Sequence, residues 1–136
     1  MFSKPMQAEF KQAPHLELLT HRSPHLRKQC ADLAGQYTRV AKFETELLAK
    51  YLDLEVYKRR GIVEGLLDDD LEPIEAVIDS LCNALGRIAQ GGGDISVAVP
   101  FLVPLVYEKE ETLVRLSAAF ALRAYHKNVQ SKRGAA

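Results

Sequence analysis

The chain has 136 residues, 47% hydrophobic and 26% charged, with a formal net charge of zero. This is the size of one ordinary domain, too rich in Leu, Val and Ile for wholesale disorder and too heavily charged for a bundle of membrane spans. The zero hides a segregation: residues 1–60 carry +4, residues 61–112 carry −9 and residues 113–136 carry +5. Basic ends folding back on an acidic middle is the simplest reading, and patches offered to a partner is the other.

Residues 1–22 read as an N-terminal arm. Pro5 and Pro14 forbid one continuous helix, and Met6, Phe10, Leu16, Leu18 and Leu19 are scattered apolar anchors. No apolar stretch of signal-peptide length follows Met1, which gives the expectation of a cytoplasmic protein. The two cysteines, Cys30 and Cys82, fall on apolar helical faces and are expected to be buried free thiols.

Ser23 and Pro24 form a helix start, Ser as the cap and Pro at the first helical position. From there a four-three rhythm runs through Leu26, Cys30, Leu33, Tyr37, Val40, Glu44, Leu47, Tyr51 and Leu54. This reads as one helix from Pro24 to about Arg60. Such a rod is roughly 50 Å long at 1.5 Å per residue, too long for a small globule with a radius of gyration near ~14 Å. The rod is therefore expected to protrude and to meet a second subunit through Leu26, Leu33, Tyr37, Glu44, Leu47, Tyr51 and Leu54, with Glu44 as a register-fixing polar residue. Glu46 with Lys50 and Glu55 with Arg59 stand four apart, acid first, as local ion pairs. Lys58, Arg59, Arg60 and Gly61 look like the helix end.

Residues 61–70 read either as a kinked continuation or as a separate turn. A second helix starts near Glu72 and Pro73, with Ile74, Val77, Ile78, Leu81, Cys82, Leu85 and Ile88 on one face, and ends at Gly91-Gly92-Gly93. Between Val97 and Tyr107, Pro100 and Pro104 argue against a central strand and for short helical turns. The last helix reaches about Val129, with Leu113, Leu116, Phe120 and Ala124 as its stripe and Ser117 and Ala121 small enough for a close neighbour.

The fold class is thus all-α: a bundle of three to five helices over residues 23–129, built around the long first helix, with residues 130–136 a frayed tail. Chemistry is sparse. Asp68, Asp69 and Asp70 are adjacent carboxylates without a calcium-loop pattern and read as a solvated helix start. His15, His21, His25 and His126 lack zinc-ligand spacing. The glycine run lacks the Lys-Ser/Thr of a phosphate loop. No catalytic residue, metal or cofactor is assigned. The leading expectation is a non-enzymatic helical interaction module, an adaptor or regulatory subunit, acting as a homodimer and on a further protein. A nucleic-acid-binding regulator is the alternative, using basic patches at Arg22, Arg27, Lys28, Lys58, Arg59, Arg60, Arg123 and Lys127. A small helical enzyme without a motif is the third.

Overall fold

The computed structural model describes residues 16–36, 42–107 and 109–135. Most of the N-terminal arm, with Tyr37 and Val40 of the proposed seam, lies outside them. The α-helices are α1 (Pro24–Ala34), α2 (Lys42–Val63), α3 (Leu71–Gln90), the single turn α4 (Val99–Leu102) and α5 (Thr112–Ala135). Leu16–Thr20, Ser96–Ala98 and Val103–Val106 are 3-10 turns. The described residues contain no strand, and none of their helices is long and apolar enough to cross a membrane.

The single long rod is not present. The Ser23 hydroxyl caps α1 by accepting from the Leu26 N–H, and the helix closes at Gly35 after three turns. Arg27 Nε lies 2.6 Å from Glu55 Oε1. On a straight helix those two residues stand roughly 42 Å apart, so the chain has folded back and α2 is a separate element. Both helices pack on the same neighbour, and the apolar side chains they bury are Cys30, Ala31 and Ala34 on α1 and Leu48, Ala49 and Leu52 on α2.

That neighbour, α3, is the spine of the bundle in place of the expected first helix. It buries Ile74, Val77, Ile78, Leu81, Cys82, Leu85 and Ile88, and also Ser80, Ala84, Gly86 and Ala89 on its other sides. A helix buried nearly all round has to sit between others. α1, α2 and α5 all pack on it. Each fully buried Leu or Ile contributes about 1.5–3 kcal/mol. Leu16 and Leu19 dock the end of the arm onto this core.

Two glycines set the helix ends. α2 runs past Gly61 and stops two residues before Gly65, whose φ of +79° suits glycine. Gly65 N–H bonds the Ile62 carbonyl and Leu66 N–H bonds that of Gly61, the paired closure of a left-handed cap. Gly92, at φ +97°, repeats the device after α3 with bonds from Gly92 to Ala89 and from Gly93 to Ile88.

The Pro-rich stretch is three short helical turns whose Ile95, Ala98, Leu102 and Leu105 are buried, so its apolar run is core rather than strand. It carries the chain back along α3, and α5 then runs parallel to α3. Ser117 meets Asp79, the Phe120–Ala121 step meets Gly86, and Asn128 Nδ2 donates to the Gly93 carbonyl at 3.2 Å. Glu111 starts α5 by accepting from the N–H groups of Leu113 and Val114. The helix continues to Ala135, past the expected end near Val129.

Candidate interaction surface

α5 turns its small side chains inward. Val114, Ala118 and Ala121 are fully buried against the bundle, whereas Leu113 and Leu116 are 60% and 59% exposed. Leu113 and Leu116, the first half of the expected stripe, therefore face out, while Phe120 is half-buried and Ala124 packs on the core. At 100° per residue Leu113, Leu116, Phe120, Arg123 and Lys127 fall within about 80° of arc, so they form one continuous line along the helix. Its first half is apolar and its second half is basic.

The basic half borders a cleft of about 520 Å³ lined by Gln90, Phe120, Arg123, Ala124, Lys127, Asn128 and Ser131. A second, adjoining cleft shares Phe120 and Gln90 and adds Asn83 and Arg87. Arg123 and Lys127 thus border one cleft and Arg87 the other, and among the described lining residues of these two clefts none is acidic; Arg87 also lines a further cleft with Asp32. Arg87 was missed in the sequence, where it is a lone cation amid an apolar helix. Its signal was its place on the polar edge of α3, one turn before the glycines.

The opposite end is rich in carboxylates, with the exposed cations Arg60 and Lys109 beside Glu111 in one cleft. Asp68, Asp69, Asp70, Glu72 and Glu111 are exposed there, together with Leu66 (75%) and Leu67 (42%). Beside this corner, Arg59 reaches across to Glu110, with Nη2 donating to Oε2 at 3.0 Å. Glu75 lies in the same cleft. Burial pushes its carboxyl above the ordinary 4.5; Arg59 opposes this, and Glu111, Glu110 and Glu72 add to it. A raised carboxyl binds its proton more tightly in the folded chain than in the unfolded one. Its stabilising effect is complete below pH 4.5 and is lost as pH rises through the folded value. Glu75→Gln is therefore expected to raise the thermal midpoint at neutral pH and to match the native chain at acid pH, as read by circular dichroism melts across pH.

The expected seam does not form one surface. Glu44 is buried, and its Oε2 has no partner among the described residues. Leu47 and Tyr51 pack on the core, Leu26 and Leu33 are half-buried, and Leu54 is 39% exposed. The basic patches separate likewise. Arg27 is 3% exposed and holds Glu55, so it is not free to meet a phosphate. Lys28 pairs with Asp32, Lys58 lies 3.7 Å from Glu55, and Arg59 pairs with Glu110. Arg22 and Arg60 are exposed but belong to different parts of the surface from Arg123 and Lys127. The local pair expected between Glu55 and Arg59 gives way to these longer-range partners.

Neither cysteine is in a disulfide, and both are buried. Burial, reinforced by Glu17 and opposed by the backbone bond at Leu19, pushes Cys30 up to about 11. Burial and Asp79 push Cys82 higher still, so both thiols stay protonated at neutral pH. Among the described residues no group of His, Cys, Asp and Glu is arranged to hold a metal ion. The chain matches no protein-family model, no curated protein and no solved structure.

Proposed function

We propose that this chain is a non-enzymatic helical interaction module, an adaptor or regulatory subunit that works as a homodimer. The observation that carries this reading is the outward stripe of α5. Leu113 and Leu116 stand in solvent on a helix that has smaller side chains for its own core. Two leucines exposed side by side, continuous with Phe120, make an apolar patch with a basic border, the composition of a helix-docking face. Covering such a patch supplies the energy of association, and the charges around it supply orientation. The protruding rod expected from the sequence no longer supports this reading; the last helix does.

Size-exclusion chromatography with light scattering tests it. The chain is expected at about twice its 15.2 kDa mass, and Leu116→Glu is expected to return it to the single-chain mass while keeping its helical circular dichroism. A native chain of single mass at 100 μM (about the level a weak homodimer requires) overturns the homodimer.

One observation favours a second reading. Arg87, Arg123 and Lys127 surround Phe120, a partly exposed ring, without a described carboxylate in the clefts. Cations around an aromatic ring suit single-stranded nucleic acid. A gel shift with an oligonucleotide across a salt series decides it: binding that weakens steeply with salt supports the reading, and no shift at low salt removes it.

A further inference from the structure

We infer that the groove over the C-terminal half of α3 takes an extended acidic segment of a partner protein. Its carboxylates meet Arg87, Arg123 and Lys127, and its backbone meets the side-chain amides of Asn83 and Gln90. The inference rests on the interaction-module reading and deepens it by naming the chemistry of the further partner.

The groove follows from how α3 is flanked. A Cβ at Gly35 would lie 2.9 Å from the Ala84 Cα, so the end of α1 rests on one side of α3. A Cβ at Gly86 would overlap the Phe120 ring, so α5 rests on another. At 100° per residue Ala84 and Gly86 stand about 160° apart round α3, and Asn83, Arg87 and Gln90 fall inside that sector, within about 60° of arc. They form the uncovered strip of this half of the helix. Arg87 and Gln90 are exposed and Asn83 is half-buried, whereas Ala84, Leu85, Gly86, Ile88 and Ala89 are buried. Three clefts open along the strip and share their borders. One of about 150 Å³ joins Asp32 and Ser80 to Asn83 and Arg87. The next, about 720 Å³, joins Asn83, Arg87 and Gln90 to Phe120. The third, about 520 Å³, joins Gln90 and Phe120 to Arg123 and Lys127. α3 is thus the floor, the end of α1 one wall and α5 the other.

Charge selects the occupant. Arg87, Arg123 and Lys127 are exposed, and no ion pair or side-chain hydrogen bond among the described residues engages them. The one carboxylate among the described lining residues of the three clefts is Asp32, and Lys28 holds it at 2.9 Å. An acidic chain is drawn to such a groove and a basic one is repelled.

The amides select its conformation. Asn83 and Gln90 have no side-chain hydrogen bond among the described residues. A primary amide both donates and accepts, as a peptide group does. A helical partner has already paired its own N–H and C=O groups, whereas an extended one offers them. The spacing agrees. Arg123 and Lys127 are one turn, roughly 6 Å, apart, and side chains on one face of an extended chain recur every ~6.6 Å. A single-stranded nucleic acid fits less well, because it calls for rings under successive bases. Phe120 is the one aromatic among the described lining residues, with its ring against Gly86. Leu113 and Leu116 precede the groove along α5 and line none of the three clefts, so self-association and this site are separable.

Fluorescence anisotropy at low salt tests this with a labelled octapeptide of alternating Glu and Thr. The native full chain is expected to bind it and not the matching Lys–Thr peptide. The same Glu–Thr peptide N-methylated at each Thr keeps its charge and loses N–H donors, and is expected to bind at least tenfold more weakly. Asn83→Ala with Gln90→Ala is expected to weaken binding at least fivefold, and Arg123→Ala with Lys127→Ala at least tenfold. Arg22→Ala removes an exposed cation outside the groove and is expected to change nothing. Circular dichroism checks each fold. Where the double amide variant loses helix, Gln90→Ala alone is measured, with at least a twofold loss expected.

No binding of the Glu–Thr peptide overturns the inference, as does equal binding of the methylated peptide or a loss with Arg22→Ala as large as with the groove cations. An oligothymidylate that binds more tightly than the peptide also overturns it and gives the groove to nucleic acid. Leu116→Glu is expected to keep peptide binding, and its loss there overturns a groove separate from the leucine patch. A chain that is dimeric by light scattering but binds no peptide leaves the homodimer standing. A monomeric chain that binds the peptide removes the homodimer and keeps the groove.

Discussion

Glu55→Ala is expected to destabilise the fold by about 3–5 kcal/mol, and Arg27→Ala by less. The pair sits at 1% and 3% exposure, with Arg27 Nε 2.6 Å from one carboxylate oxygen and Nη2 3.4 Å from the other. Arg27 Nη1 also donates to the carbonyls of His21 and Arg22, so one guanidinium ties the arm, α1 and α2 together. Removing Glu55 strands a guanidinium that cannot lose its proton within the folded bundle. Removing Arg27 leaves a carboxylate that still has Lys58 at 3.7 Å. The order of the two losses follows from that asymmetry. Arg27→Met combined with Glu55→Leu removes both desolvation penalties, and is expected within about 1 kcal/mol of the native chain. Urea unfolding checks all three, as midpoints that move while the slope stays constant. Equal losses for the two alanine variants would mean that water reaches the pair.

The elements that were legible are those with an unbroken period or a local capping signal. α3 is apolar on the face named from its period, and Ser23 and Pro24 start α1 as their chemistry requires. The rod was misread because spacing along a chain carries phase, not direction. The apolar side chains the two helices bury are Cys30, Ala31 and Ala34 on α1 and Leu48, Ala49 and Leu52 on α2, so the leucine rhythm from Leu26 to Leu54 runs across two helices without marking the face that either one buries. Gly35 marks the end of α1. A Cβ there would lie 2.9 Å from the Ala84 Cα, so the glycine permits the end of α1 to touch α3.

The α5 stripe was misread for a different reason. Leucines dominate any hydrophobicity pattern, yet a helix that must approach another closely is chosen for small residues. Val114, Ala118 and Ala121 carried that signal at spacings of four and three. The ion pairs were illegible because burial decides them. Glu55 and Arg59 suit each other locally, but each faces a different element and takes the partner found there.

The same close approach leads to the second large effect. Gly86→Val is expected to destabilise the fold by about 3 kcal/mol, at the upper end of the usual range for overpacking, because it drives a branched side chain between α3 and α5. A Cβ at Gly86 already overlaps the Phe120 ring and stands 3.2 Å from the Ala121 Cα. The ring, half-exposed at the surface, can swing away; the Ala121 backbone cannot do so without moving α5. Gly86→Ala therefore has a smaller cost, about 1 kcal/mol, relieved mainly by rotation of Phe120, and part of it is returned because alanine is the better helix former. Phe120→Ala in the Gly86→Ala and Gly86→Val backgrounds separates the two contacts. It is expected to recover most of the alanine penalty and little of the valine penalty, since only the latter comes from the backbone. Thermal melts of the three single and two double variants measure this coupling as a departure from additivity. Additive losses would mean that α3 and α5 are not in contact at this point. Because Phe120 also sits at the centre of the α5 stripe, Gly86→Ala is further expected to weaken the proposed homodimer while leaving the single chain folded, so a single methyl group would link the packing of the spine to the surface it presents.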